Sequence, residues 1–245
     1  MYRFFVDKEQ ISGGKAHVTG EDAHHIKNVL RMKKGDSIYL SCGDEWEYEC
    51  IIDEFADDAV IASVADASKP GKELPCKITL YQCMPKKDKM ELIIQKAVEL
   101  GVYEIVPVES ARCIARLDEK KKASRISRWN SIASAAAKQS KRLIEPIVHE
   151  PVKFNDAIKS ASSMTHSFIP YENAEGMKET RRLFEGINIG DKIGIIIGPE
   201  GGFEAEEIDA AVREGISSIT LGKRILRTET AGMAVLSMLT YVLED

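Results

Sequence analysis

The chain has 245 residues, of which 44% are hydrophobic and 30% charged, and a net charge of −5. This composition is that of an ordinary soluble globular protein of one large or two modest domains. It excludes a membrane span, because no apolar run is long enough, and the early Asp7, Lys8 and Glu9 exclude a signal-peptide core.

Residues 1 to about 66 read as a small β-rich module. Glu21 to Arg31 has the spacing of a short helix with Ala23, Ile26, Val29 and Leu30 inward. Ser37–Cys42 and Glu47–Ile52 alternate with the strand period around a Gly43-Asp44 turn, and Val60–Val64 is a further strand. Ala65 to Pro75 is small, polar and broken by Pro70, Gly71 and Pro75, so it reads as a linker.

Beyond it, strands and helices alternate. Strands are predicted at Lys77–Met84, Glu104–Val108 and His166–Pro170, with helices at Asp88–Leu100, Lys120–Lys141 and Asn155–Ser162. Such alternation implies a parallel sheet flanked by helices. Cys42, Cys50, Cys76, Cys83 and Cys113 are odd in number and lack CxxC spacing, so they read as reduced, mostly buried thiols. Charge is uneven: residues 1–72 carry 9 basic and 14 acidic side chains, and residues 84–142 carry 14 basic and 7 acidic. The basic stretch suits either a phosphate-facing surface or plain solvated helix faces.

The most informative stretch is Lys192 to Thr230. Ile193–Ile197 is a buried strand that stops at Gly198-Pro199-Glu200-Gly201-Gly202. Glu204–Glu214 is a helix with an acidic first turn, with Ile208, Ala211 and Val212 on one side and Gly215 as its left-handed cap. Ser218–Leu221 is a second strand, ending in Gly222 and a basic loop. Thr228 then serves as N-cap of a last helix, from about Glu229 to Leu243. A parallel sheet puts both glycine loops at the strands' carboxyl ends, where ligands bind. A phosphate cradle is excluded. The spacing is neither GxGxxG nor GxxxxGK[ST], Pro199 lacks a donor, and Glu200 repels anions. The loop is then either a plain tight strand-to-helix turn or the site of a ligand with hydroxyls, an adenine ring and a positive charge, such as S-adenosylmethionine (AdoMet), which fits the loop chemistry.

GPEGGF followed by LGKRILRTETA resembles the RsmE family of SPOUT methyltransferases. RFFV at Arg3–Val6, HxxxVLR at His25–Arg31, KxDKMELIIQKAVELG at Lys87–Gly101 and AAKQSKR at Ala136–Arg142 extend the resemblance over nearly the whole chain. Lys141 departs from the pattern, standing where a small residue, often glycine, is common. The resemblance implies a PUA-like β-barrel RNA-binding domain at residues 1–72. It implies a SPOUT trefoil-knot methyltransferase domain at 73–245, with the chain after Gly222 threaded under the Gly198 loop. It further implies a cytoplasmic homodimer that methylates N3 of a uridine in 16S rRNA of the 30S subunit, using AdoMet and no metal. Ala231, Ala234, Val235, Met238, Leu239 and Val242 then form either the dimer stripe or core. Ribose 2′-O-methylation and non-catalytic RNA binding are the competing activities.

N3–H is an imide proton that must be weakened while charge spreads onto O2 and O4. Arg227 is the candidate for steadying that charge, or else a phosphate contact or a partner of Glu229. Glu229 and Glu200 are candidate bases, or respectively a first-turn helix charge and a partner of backbone donors. Gln139 is the candidate for orienting the uracil edge. Ile197, Gly198, Pro199, Glu200, Gly201, Leu221, Gly222, Ile225, Leu226, Arg227, Thr230 and Ala231 are expected around the cofactor, with Pro170 on its methionine side. Arg3, Arg31, Lys86, Lys89, Arg128 and Arg142 are expected to touch RNA.

Overall fold

The computed structural model describes residues 2–86, 88–114, 119–172, 174 and 176–244, leaving aside the side chain of Glu119; Lys87, which opens one of the family-like motifs, lies outside them. The chain divides into two compact units, one of Met1–Glu73 with Ala137–Glu145, the other of Leu74–Ala136 with Pro146–Asp245.

In the first unit β1 (Tyr2–Phe5), β2 (Ile11–Ser12), β3 (Lys15–Thr19), β4 (Ser37–Ser41), β5 (Glu47–Phe55) and β6 (Ala59–Ser68) form a sheet ordered β1-β4-β5-β6-β3-β2. Among the described residues its β1–β4 pair is parallel and the other pairs are antiparallel. The strand period sends Ala16 and Val18, Ile38 and Leu40, Cys50 and Ile52, and Val60 and Ala62 into one core. β6 runs through Ser68, so the first part of the expected linker is strand. Asp66, Ala67 and Ser68 pair with Glu49, Tyr48 and Glu47 beyond a register shift at Glu49/Cys50, and pairing outweighs weak local propensity.

The expected helix at Glu21–Arg31 is shorter and irregular. α1 (Gly20–His24) widens into a π-helical turn, His25–Val29, with Leu30 N–H donating to His25 O at 2.9 Å. The wider turn rotates its last residue off the apolar stripe, leaving Val29 61% exposed. Arg31 closes it in a left-handed conformation, φ 51°.

The second unit contains, among the described residues, an all-parallel sheet ordered β10-β8-β7-β12-β11-β13, with β9 also paired to β8. Its strands are β7 (Lys77–Cys83), β8 (Glu104–Glu109), β9 (Ile147–Val148), β10 (Val152–Lys153), β11 (His166–Pro170), β12 (Lys192–Ile197) and β13 (Ser217–Ile219). The helices are α2 (Lys89–Glu99), α3 (Glu119–Gln139), α4 (Phe154–Ser162), α5 (Met177–Glu185), α6 (Ala205–Arg213) and α7 (Thr228–Leu243). α2 buries Met90, Ile93, Ile94 and Ala97, as its spacing predicts. On α6, Ile208 and Ala211 are buried, but Val212 is 51% exposed, one residue past the apolar stripe. β11 separates β12 from β13, and α7 packs against β12 and α2. Residues 220–227 therefore bring the chain from an edge strand back to the sheet's centre. Among the described residues no helix is long and apolar enough to cross a membrane.

The end of α3 explains Lys141. Arg142 N–H donates to Ala137 O at 2.9 Å and Lys141 N–H to Lys138 O at 3.4 Å, a Schellman closure with Lys141 at φ 61°. The next residue, Arg142, is buried. Its guanidinium holds Glu73 at 2.5 Å, and Glu73 also accepts from Leu143 N–H at 2.7 Å. Glycine suits φ 61° better than lysine. Lys141→Gly is expected to stabilise the protein by about 0.5–1 kcal/mol, the left-handed cost less glycine's entropy. Urea unfolding should show the midpoint moving up at constant slope.

Candidate functional site

The carboxyl ends of β11, β12 and β13, with the first turn of α7, surround a cavity of about 590 Å³. Pro170 ends β11 and Tyr171 follows it, Ile197 ends β12 and Gly198 to Phe203 follow it, and Thr220 to Arg227 follow β13; Ala231 comes from α7. Of the residues expected around a cofactor, all but Thr230, which is exposed on α7, line this cavity.

The glycine loop is shaped by neighbours that the sequence does not announce. A Cβ on Gly198 would lie 3.0–3.3 Å from three atoms of the Phe203 ring. So Gly198 is glycine because Phe203 folds over it, and Phe203 in turn packs on Phe154 with ring centroids 5.6 Å apart. Arg112, between β8 and α3, clamps the loop. Its Nε and Nη2 donate to the two oxygens of Glu204 at 2.7 Å each, and Nη1 donates to Gly201 O at 2.8 Å. No local pattern marks Arg112, because its partners lie 89 and 92 residues away.

Thr228 is not the N-cap. Arg227 occupies that position with extended backbone, and Thr228 is the first helical residue. The Thr228 hydroxyl is buried. It donates to Gly198 O at 2.6 Å and accepts from Gln82 Nε2 at 2.9 Å. One side chain thus ties the start of α7 to the glycine loop and to the middle of the sheet.

Lys89, one of the expected RNA contacts, opens α2 and lines the cavity. Its Nζ lies 3.3 Å from Glu200 and 3.2 Å from Glu229. Glu200 also accepts from Lys86 N–H at 3.0 Å. Burial pushes the Glu200 carboxyl up, but the backbone N–H groups of Glu200 and Lys86 and the Lys89 ammonium hold it below its ordinary value. Glu229 is likewise pushed up by burial, and is brought below its ordinary value by its own N–H, Lys89 and the charge of Arg227. Both carboxylates are therefore weakened as proton acceptors. A carboxyl held low contributes stability above its ordinary value and loses it as pH falls through the lowered value. Lys89→Met removes the shared cation. The variant is expected to melt lower than the parent at neutral pH and to lose less on acidification, as thermal scans across that range would show.

Arg227 is exposed, lines the cavity and forms no ion pair among the described residues. Gln139 is exposed and belongs to the first unit; it is not among the residues lining this cavity. The expected RNA contacts separate into two groups. Arg3 and Arg142 are buried against Glu47 and Glu73, because their charges close the first unit, and Arg128 forks onto Glu91 at 2.7 and 2.8 Å. Lys86 and Arg31 are exposed.

Comparison with known proteins adds to this geometry. Residues 72–240 match an RNA methyltransferase domain and residues 18–64 an RNA methyltransferase PUA domain. The chain is 34% identical to the ribosomal RNA small subunit methyltransferase E of Bacillus subtilis, covering 100% of this chain and 98% of that one. It is 35% identical to the protein of the same name from Mesomycoplasma hyopneumoniae, covering 97% and 98%. Among solved structures it is similar to a ribosomal RNA small subunit methyltransferase E from Neisseria gonorrhoeae bound to S-adenosyl methionine. That match has 30% identity and a TM-score of 0.84, covering 99% of this chain and 98% of that chain.

Proposed function

Because the chain belongs to the RNA methyltransferase family of these relatives, that of ribosomal RNA small subunit methyltransferase E, we propose that it methylates N3 of a uridine in 16S rRNA of the assembled 30S subunit, with AdoMet as methyl donor. The observation that carries this reading is the meeting of three strand ends at one cavity whose wall includes an uncommitted guanidinium, Arg227.

The cavity fits the cofactor. Its volume lies in the range of small-molecule sites, about 300–1,000 Å³. Ile197, Leu221 and Leu226 offer an apolar wall for a ring, and Gly198 and Gly222 let backbone come close. Pro170 borders the methionine end, and Glu200 tolerates a positive centre. When bound, AdoMet supplies an electrophilic methyl group on a sulfonium. The protein's own work is to aim N3 and to steady charge on O2 and O4, which Arg227 does through a planar, permanently charged fork. Glu229, held as a carboxylate, is a weak proton acceptor, so the N3 proton passes to water as the methyl group moves from sulfur to N3 and S-adenosylhomocysteine leaves. The target uridine must be unpaired for its Watson–Crick edge to reach the site.

The same reading treats residues 1–72 as the RNA-binding PUA-like barrel and 73–245 as the catalytic domain, acting as a homodimer in the cytoplasm. It treats the 220–227 segment as the thread of a trefoil knot, supported by its passage from the edge strand to α7 beside β12. The test is methylation of isolated 30S subunits in vitro, with the product mapped by nucleoside analysis. 3-Methyluridine supports the reading, and a 2′-O-methylated product overturns the N3 assignment. Absence of AdoMet binding by calorimetry would make the protein a non-catalytic RNA binder.

A further inference from the structure

Among the described residues five cations line the cavity: Lys89, Arg112, Lys223, Arg224 and Arg227. Lys89 is taken by Glu200 and Glu229, and Arg112 by Glu204. Arg227 faces the developing charge on the proposed reading. Lys223 and Arg224 are left over. Both are exposed, and neither forms an ion pair among the described residues. The residue after them, Ile225, is 87% exposed although it borders a cavity whose other apolar lining groups are buried or half-buried.

Two adjacent cations without carboxylate partners, followed by an exposed isoleucine, offer both charge and apolar contact to a ligand at the cavity. The ligand must bring negative charge and a flat apolar face together. An unstacked stretch of RNA brings both, through its phosphates and its bases. We propose that Lys223 and Arg224 form a phosphate subsite gripping the strand beside the target nucleotide, with Ile225 packed on the neighbouring unstacked base. The inference rests on the RNA methyltransferase reading above. It also moves phosphate recognition at the reaction centre away from Arg3, Arg128 and Arg142, whose guanidinium groups are already engaged. The carboxylate of the cofactor's methionine has the same anionic chemistry, but it carries one charge and no apolar face. Two exposed cations beside an exposed isoleucine match the polymer better.

The experiment measures binding of a fluorescent oligouridylate to the full chain across a KCl series, beside calorimetric AdoMet titration. Lys223→Ala/Arg224→Ala is expected to shrink the slope of log Kd against log salt by roughly 1.4, two contacts at about 0.7 each on single strands. AdoMet affinity should stay within about twofold, a change under roughly 0.5 kcal/mol. Lys223→Arg/Arg224→Lys should keep the parent slope, and Ile225→Ala should weaken binding without altering it. An unchanged slope in the double alanine variant overturns the subsite. A large loss of AdoMet affinity with the slope intact overturns it too, by assigning the cations to the methionine carboxylate. Absence of salt-dependent RNA binding by the parent chain likewise overturns the subsite, whereas absence of AdoMet binding by the parent chain in the parallel titration would remove the methyltransferase reading itself.

Discussion

Arg227→Ala is expected to slow single-turnover methylation of 30S subunits at saturating AdoMet by about 10²–10³, the scale for losing one preorganised donor to a developing oxyanion. The side chain leaves from the N-cap of α7, with extended backbone, and the following Thr228 is pinned by Gly198 O and Gln82. Its backbone origin is therefore fixed, and its guanidinium forms no ion pair among the described residues and is free to take up the uracil oxygen. AdoMet affinity should change little. Arg227→Lys should recover part of the rate, since an ammonium carries the charge without the planar fork. A normal rate at saturation with a large loss of AdoMet affinity would make Arg227 a cofactor ligand. The charge on the uracil would then need another donor.

Gly198→Val is expected to raise the AdoMet Kd by about 10² or more, some 2.7 kcal/mol of binding. The reason is internal crowding. The new Cβ meets the Phe203 ring at 3.0–3.3 Å, and that ring is itself backed by Phe154. The ring or the loop must give by a few tenths of an ångström, and such overpacking also costs roughly 1–3 kcal/mol of stability. Calorimetry on variants checked by circular dichroism measures the binding term. Adding Phe203→Ala to Gly198→Val should restore part of the affinity by making room. If the second substitution restores nothing, the valine methyls themselves occupy ligand space. If Gly198→Val alone binds normally, the loop is not part of the site.

The parallel sheet of the second unit was legible because its strands are apolar runs and its helices carry clean stripes, as in Met90, Ile93, Ile94 and Ala97 of α2. The glycine loops were legible because Pro199 and Gly222 punctuate strand ends. What stayed hidden is what depends on distant partners. Arg112 and Thr228 shape the site through contacts with residues far along the chain, so no window of sequence contains the signal. The same holds for Arg3, Arg142 and Lys89. A cation reads as a candidate for phosphate until the carboxylate beside it is seen, and Glu47, Glu73, Glu200 and Glu229 are those carboxylates. One miss had a local signal: Gly13-Gly14, at φ 57° and 77°, is a two-residue hairpin turn between β2 and β3. The π-helical turn at His25–Val29 has no such mark, since Ala23 and Ile26 fit an ordinary helix equally well.

The first unit is not contiguous. Its strands are complete by Ser68, yet Ala137–Glu145 belongs to it, through Arg142 and the backbone of Leu143 on Glu73 and through the Ser41 hydroxyl, which donates to Leu143 O at 2.5 Å across 102 residues. During synthesis, then, the amino-terminal sheet emerges well before the segment that finishes it. Glu73 must wait, hydrated, while β7, α2, β8 and α3 leave the ribosome. The two units cannot mature one after the other, because the second must be half made before the first is closed. A nascent chain halted before residue 137 should remain protease-sensitive in its amino-terminal part, and one halted far enough beyond residue 145 for that segment to clear the exit tunnel should not.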